Sequence, residues 1–187
     1  MHDRNNPPTT IYRNIQYPRL EYKTGDLQLI LPKNHQNPQT LLVKHAKWIQ
    51  HKQQQIQKAL QQAKHTKLNQ TRTLPQLKTL TNQTIQTHQT ELNVKINRTF
   101  YRTMRTKWAS LSRERNVTIN TLTRYLPDSL IQYIIYHELT HAKHGKKHNQ
   151  QFWNSIYQKY PNHQTQEQNL LAHWFLIQRT TKRKDTN

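Results

Sequence analysis

The sequence predicts a small α+β domain, and three observations carry that reading. Residues 9–33 place Ile, Tyr and Leu at near-alternate positions, and 100–108 and 116–126 are β-branched and aromatic runs separated by the polar Ser110 to Arg115, as strands are. The stretches between and after them repeat their apolar residues every three, four or seven positions, as amphipathic helices do. The third is HELTHAKHGKKHNQQFW, His137 to Trp153, a cluster of histidines that begins inside a strongly apolar helical stretch. Strands and helices come in runs rather than in strict alternation, which points to small antiparallel sheets packed by helices.

In chain order, TTIYRNIQYPRLEYKTGDLQLILPK (9–33) reads as a β-hairpin closed by a glycine turn at Thr24-Gly25-Asp26. From Pro38 to about Asn69, Leu41, Leu42, His45, Trp48, Ile49, Ile56 and Leu60 define an amphipathic helix broken once, with Gln and Lys on its solvated face. A polar stretch leads to a second helix from about Pro75 to Leu92. FYRTMRTKW (100–108) and NVTINTLTRYL (116–126) then read as two antiparallel strands. DSLIQYIIYHELTHAKH (128–144) is a strong helix: Leu130, Ile131, Ile134, Ile135 and Leu139 form its buried stripe, Asp128 or Ser129 its cap and Gly145 its stop. Two further helices, 149–160 and 164 to about 178, are separated by Pro161.

With 187 residues the chain is expected to form one domain with a modest core. Its expected parts are a hairpin region (9–33), a helical arm (38–92), a core bearing the histidine cluster (93–178) and a disordered tail (179–187). The lack of cysteine excludes disulfides, thiolate ligands and a catalytic thiol, so a metal would rest on His and carboxylate. No apolar run approaches a membrane span, and MHDRNNPPTT lacks the apolar core of a secretory signal. A soluble, cytoplasmic protein with no membrane partner is the expectation.

The net charge of +20 suggests nucleic acid. Lys plus Arg, however, is only 29 of 187, whereas Asp plus Glu is 9, so missing acid makes most of the imbalance. Gly, Val, Ala, Asp and Glu, whose codons all begin with guanine, number only 20 together. A coding strand depleted in guanine would make the protein basic without selection for a basic surface, and a normal guanine count in the gene would refute that explanation. Nucleic acid remains a weakly supported partner.

Chance does not explain the histidine motif. From 12 His and 5 Glu in 187 residues, the expected number of H-E-x-x-H matches is about 0.02. On a helix His137 and His141 stack on one face and can reach one ion, while Glu138 beside them is placed to accept a proton from water. A catalytic zinc wants a third protein ligand. His144, three residues after His141 on the same helix, is poorly directed. His148 lies beyond the Gly145 stop, where the chain can turn back, and is the expected third ligand.

Across nearly its whole length the chain resembles the YgjP-like metallopeptidases, a group of metal-dependent hydrolases related to the SprT-like zinc proteases. The resemblance rests on ordered blocks: GDLQLILP, Trp48-Ile49, RTMRTKWASL, NVTIN, PDSLIQYIIYHELTH and HNQQFW. It implies a zincin-like fold with an H-E-x-x-H active-site helix and a single zinc ion on His137, His141 and His148. It also implies Glu138 as the general base in hydrolysis of a peptide or protein substrate. Trp108, Asn120, Phe152 and Trp153 fall on family positions, where they would support the site. Six residues separate His141 from His148 where many members have five, and the family's W-G-S-C is Trp108-Ala109-Ser110-Leu111 here. Two alternatives are a nucleic-acid-associated SprT-like protease or basic nucleic-acid-binding protein, and a zinc-stabilised module without catalysis.

Overall fold

Residues 8–23, 25–35 and 37–184 are described by the structure, a computed structural model. Thr24 of the expected turn, most of the amino-terminal stretch and the last three residues of the expected tail lie outside them. The chain divides into two compact units, Met1–Lys58 and Ala59–Asn187. Among the described residues no helix is long and apolar enough to cross a membrane.

In the first unit, β1 (Thr9–Arg13), β2 (Arg19–Lys23) and β3 (Asp26–Pro32) form a sheet in the order β1-β3-β2. The expected hairpin is the pair β2 and β3, antiparallel, with Lys23 opposite Asp26 and Gly25 at φ 96° in the turn. That φ suits glycine because it has no Cβ. β1 instead pairs parallel with the other edge of β3. Central β3 buries Leu29, Ile30 and Leu31, and α1 (Pro38–Lys44) adds Leu41 to Leu29 and Leu31. The expected break in the long helix falls at His45, between α1 and α2 (Ala46–Gln62), so the helix stops seven residues short of Asn69.

The second unit contains α3 (Leu74–Leu92), β4 (Arg98–Arg102), β5 (Ala109–Leu111), β6 (Asn116–Asn120), α4 (Asp128–His144), α5 (Gln150–Lys159) and α6 (His163–Lys184). Thr73 and Gln76 close a capping box at the start of α3. The expectation of two antiparallel strands needs correction, because the sheet is mixed, in the order β4-β6-β5. β5 is antiparallel to β6 and β4 is parallel to it. A tight turn explains the difference: Arg115 N–H donates to the Ser112 carbonyl at 3.1 Å and Arg115 has φ 56°. This folds β5 back on β6 and leaves β4 the far edge. Alternating apolar residues mark a strand but not its direction.

α4 is the spine of this unit. Leu130, Ile131, Tyr133, Ile134, Ile135, Tyr136, Leu139 and Thr140 are buried along it. It packs against α3, β5, α5 and α6. Each fully buried Leu or Ile contributes about 1.5–3 kcal/mol relative to exposure. Neither Asp128 nor Ser129 caps the helix: Pro127 holds the cap position without a side-chain bond. Asp128 is in the first turn, where a negative charge suits the helix dipole, and pairs with Arg72. Gly145 ends the helix at φ 82°, as expected. The expected tail is helical as far as Lys184, where α6 ends.

Candidate metal centre

His137 and His141 stand one turn apart on α4, and their rings are 5.2 Å apart. Past Gly145 the chain returns and brings His148 to 5.1 Å from the first ring and 4.7 Å from the second. The three residues offer ligand atoms that all lie within 4.8 Å of one another. Nε2 of His137 and Nε2 of His148 are 3.1 Å apart. Two nitrogens bound tetrahedrally at ordinary zinc distances would be separated by about 3.3 Å. His141 Nδ1 faces the Gly145 carbonyl at 2.9 Å, a contact in which only the ring can donate, so its Nε2 is the free base.

Aromatic rings fix the trio from beneath. Phe152, fully buried on α5, stacks on His141 at 4.6 Å and meets His137 and His148 edge-on. Trp153 lies 5.5 Å from His148. Asn149 places both by capping α5, its side chain accepting from the Phe152 N–H at 2.9 Å. Burial and the neighbouring imidazoles lower the pKa of His137 to about 3, and burial lowers that of His141. Both are therefore neutral near pH 7, as metal ligation requires. The donor set fits one ion of the zinc type.

The histidines open into a cleft of about 650 Å³ whose lining includes Lys107 to Arg113, Glu138, Gly145, Lys146 and Glu167. Glu138 follows the first histidine and is held by a backbone hydrogen bond from Leu111 of β5. Burial raises its pKa to about 7, opposed by that bond and by Lys107. Trp108 lines the same cleft and packs edge-on against Trp174 at 4.8 Å. Asn120 is buried outside the lining, where its amide donates to the carbonyls of Met104 and Lys107 and its oxygen accepts from the N–H of Met104 and Leu122. It thus ties the β4–β5 connection to the end of β6. His144 points elsewhere, its Nε2 2.8 Å from Ser155 Oγ.

The family described as YgjP-like, metallopeptidase domain, matches residues 75–173, more than half of the chain. This chain belongs to that family. It is accordingly a metal-dependent peptidase, and the matched segment lies wholly within the second unit. Among solved structures the YgjP-like chain is similar to two crystallised metallopeptidase zymogens. That of Pyrococcus abyssi abylysin is 20% identical with a TM-score of 0.43, over 47% of this chain and 87% of the other. That of Methanocaldococcus jannaschii jannalysin is 25% identical with a TM-score of 0.43, over 48% and 84%. No curated protein matches significantly.

Two residues beside the histidines escaped the sequence reading. Tyr133 lies one turn before His137 on the same helix and was not among the residues of the expected apolar stripe. Glu167 comes from α6, thirty residues from His137, and nothing local in the sequence connects them.

Proposed function

We propose that this peptidase is a zinc enzyme that hydrolyses peptide bonds with Glu138 as general base. The observation that carries the proposal is the convergence of His137, His141 and His148, with ligand atoms within 4.8 Å of one another, in a cleft that Glu138 also lines. The three imidazoles would hold one zinc ion. Such an ion supplies Lewis acidity, polarising a carbonyl and making water easier to deprotonate.

The remaining work falls to the chain itself. Glu138 accepts a proton from the attacking water and returns it to the amine nitrogen as the C–N bond breaks, leaving an acid and an amine. Burial raises the pKa of this carboxyl, which favours its taking up a proton from water. β5 pairs with β6 along one edge among the described residues, and Ala109, Ser110 and Leu111 also line the cleft. An extended peptide could add to that edge through backbone hydrogen bonds, which supports a peptide rather than a compact substrate. Glu138→Gln is expected to keep zinc and fold while lowering cleavage of a casein-like substrate by about 10²–10⁴-fold. Cleavage at the wild-type rate would refute the general-base role.

A further inference from the structure

We propose that Glu167 is a positioning residue for the metal site, holding the His137 ring through its Nδ1 edge while Tyr133 anchors the carboxylate. The inference rests on the metal-site reading above. His137 directs Nε2 towards His148, so Nδ1 faces away from the trio. On that side Glu167 Oε1 lies 3.9 Å from Nδ1. The same oxygen accepts a 2.6 Å hydrogen bond from the Tyr133 hydroxyl. Tyr133 is fully buried, its ring 6.2 Å from His137 and 5.2 Å from Tyr160. Burial and the Glu167 charge both raise its pKa, which keeps the phenol protonated as a donor.

The carboxylate is therefore fixed from one side and offers its charge to the imidazole on the other. A small rotation of either side chain would close 3.9 Å to a hydrogen bond. Once Nε2 carries a cation, Nδ1–H becomes a stronger donor and the pairing strengthens. A carboxylate behind a ligating histidine fixes its tautomer and makes it more basic, and loss of such a partner typically lowers metal affinity by about 10–100-fold. The two helix ligands are then oriented differently, His141 by the neutral Gly145 carbonyl and His137 by a charge delivered from α6.

Zinc affinity, measured by competition with a chromophoric chelator on full-length wild type, Glu167→Gln and Tyr133→Phe, tests this. Glu167→Gln should bind zinc about 10–100-fold more weakly, and Tyr133→Phe should weaken it less because the carboxylate remains. The cobalt-substituted visible spectrum should keep its band positions and intensities in Glu167→Gln, since the ligands are unchanged. The thermal midpoint of the metal-free variant should match that of metal-free wild type. Equal zinc affinity in wild type and Glu167→Gln would overturn the role of Glu167 alone. An altered cobalt spectrum would overturn it by making Glu167 a ligand. Absence of zinc binding by wild type would instead refute the underlying metal-site reading.

Discussion

The two units carry the same small sheet. In each, three strands are ordered first-third-second, with the first parallel to the third and the second antiparallel to it. What surrounds the sheets differs. In the first unit Leu29, Leu31 and Leu41 form a small cluster, with Leu20, Leu27 and Leu42 at its margin. In the second, β5 packs beside α4 and the core runs from Leu77 to Leu170. All residues lining the cleft belong to this second unit. Strand topology alone thus gives no chemistry: the site exists where a buried helix presents one turn of histidines next to a strand edge.

Substitutions at matched depth sharpen this contrast. Leu139, fully buried on α4 between the two helix ligands, is expected to cost about 2–5 kcal/mol when replaced by Ala and to weaken zinc binding. Leu31→Ala in the first sheet removes an equally buried side chain but should leave zinc affinity unchanged. Denaturant melts and zinc titrations of both variants measure this. Equal losses of affinity would end the distinction between the two sheets.

Acid should act mainly through the second unit, and by a smaller amount. Burial lowers the pKa of His88, His137, His141 and His173, all of which belong to it. A histidine whose folded pKa lies below its unfolded value binds fewer protons when folded. Its stabilisation is therefore present above about 6.5 and is lost as the pH falls towards the folded pKa. Glu138, whose pKa burial raises, works in the opposite sense, so the histidine effect is read in metal-free Glu138→Gln, which should melt at a lower temperature at pH 5 than at pH 7.5. His88→Gln, which removes one such group, should reduce the difference, and a pH-independent midpoint would contradict it.

Most of the site was legible because its parts are local. His137, Glu138 and His141 are bound together by helical periodicity, and Gly145 marked where the chain could return with His148. The aromatic support from Phe152 and Trp153 follows within five residues of that histidine. What the sequence did not reveal is non-local or directional. Strand alternation located β4 and β6 but could not show that β5 occupies the antiparallel edge, because the deciding feature is the turn at Ser112 to Arg115. Asp128 looked like a cap, yet its partner is Arg72, fifty-six residues away. Glu167 escaped for the same reason, since only the packing of α6 brings it to His137.

The central claim is that three histidines of the second unit form a single zinc site. Its most direct test is the zinc content of purified wild type and His148→Ala, determined side by side after equilibration at the same free zinc. Wild type should hold about one zinc per chain and His148→Ala should lose most of it while remaining folded. Wild type without zinc, or His148→Ala with its full complement, would contradict the three-histidine site.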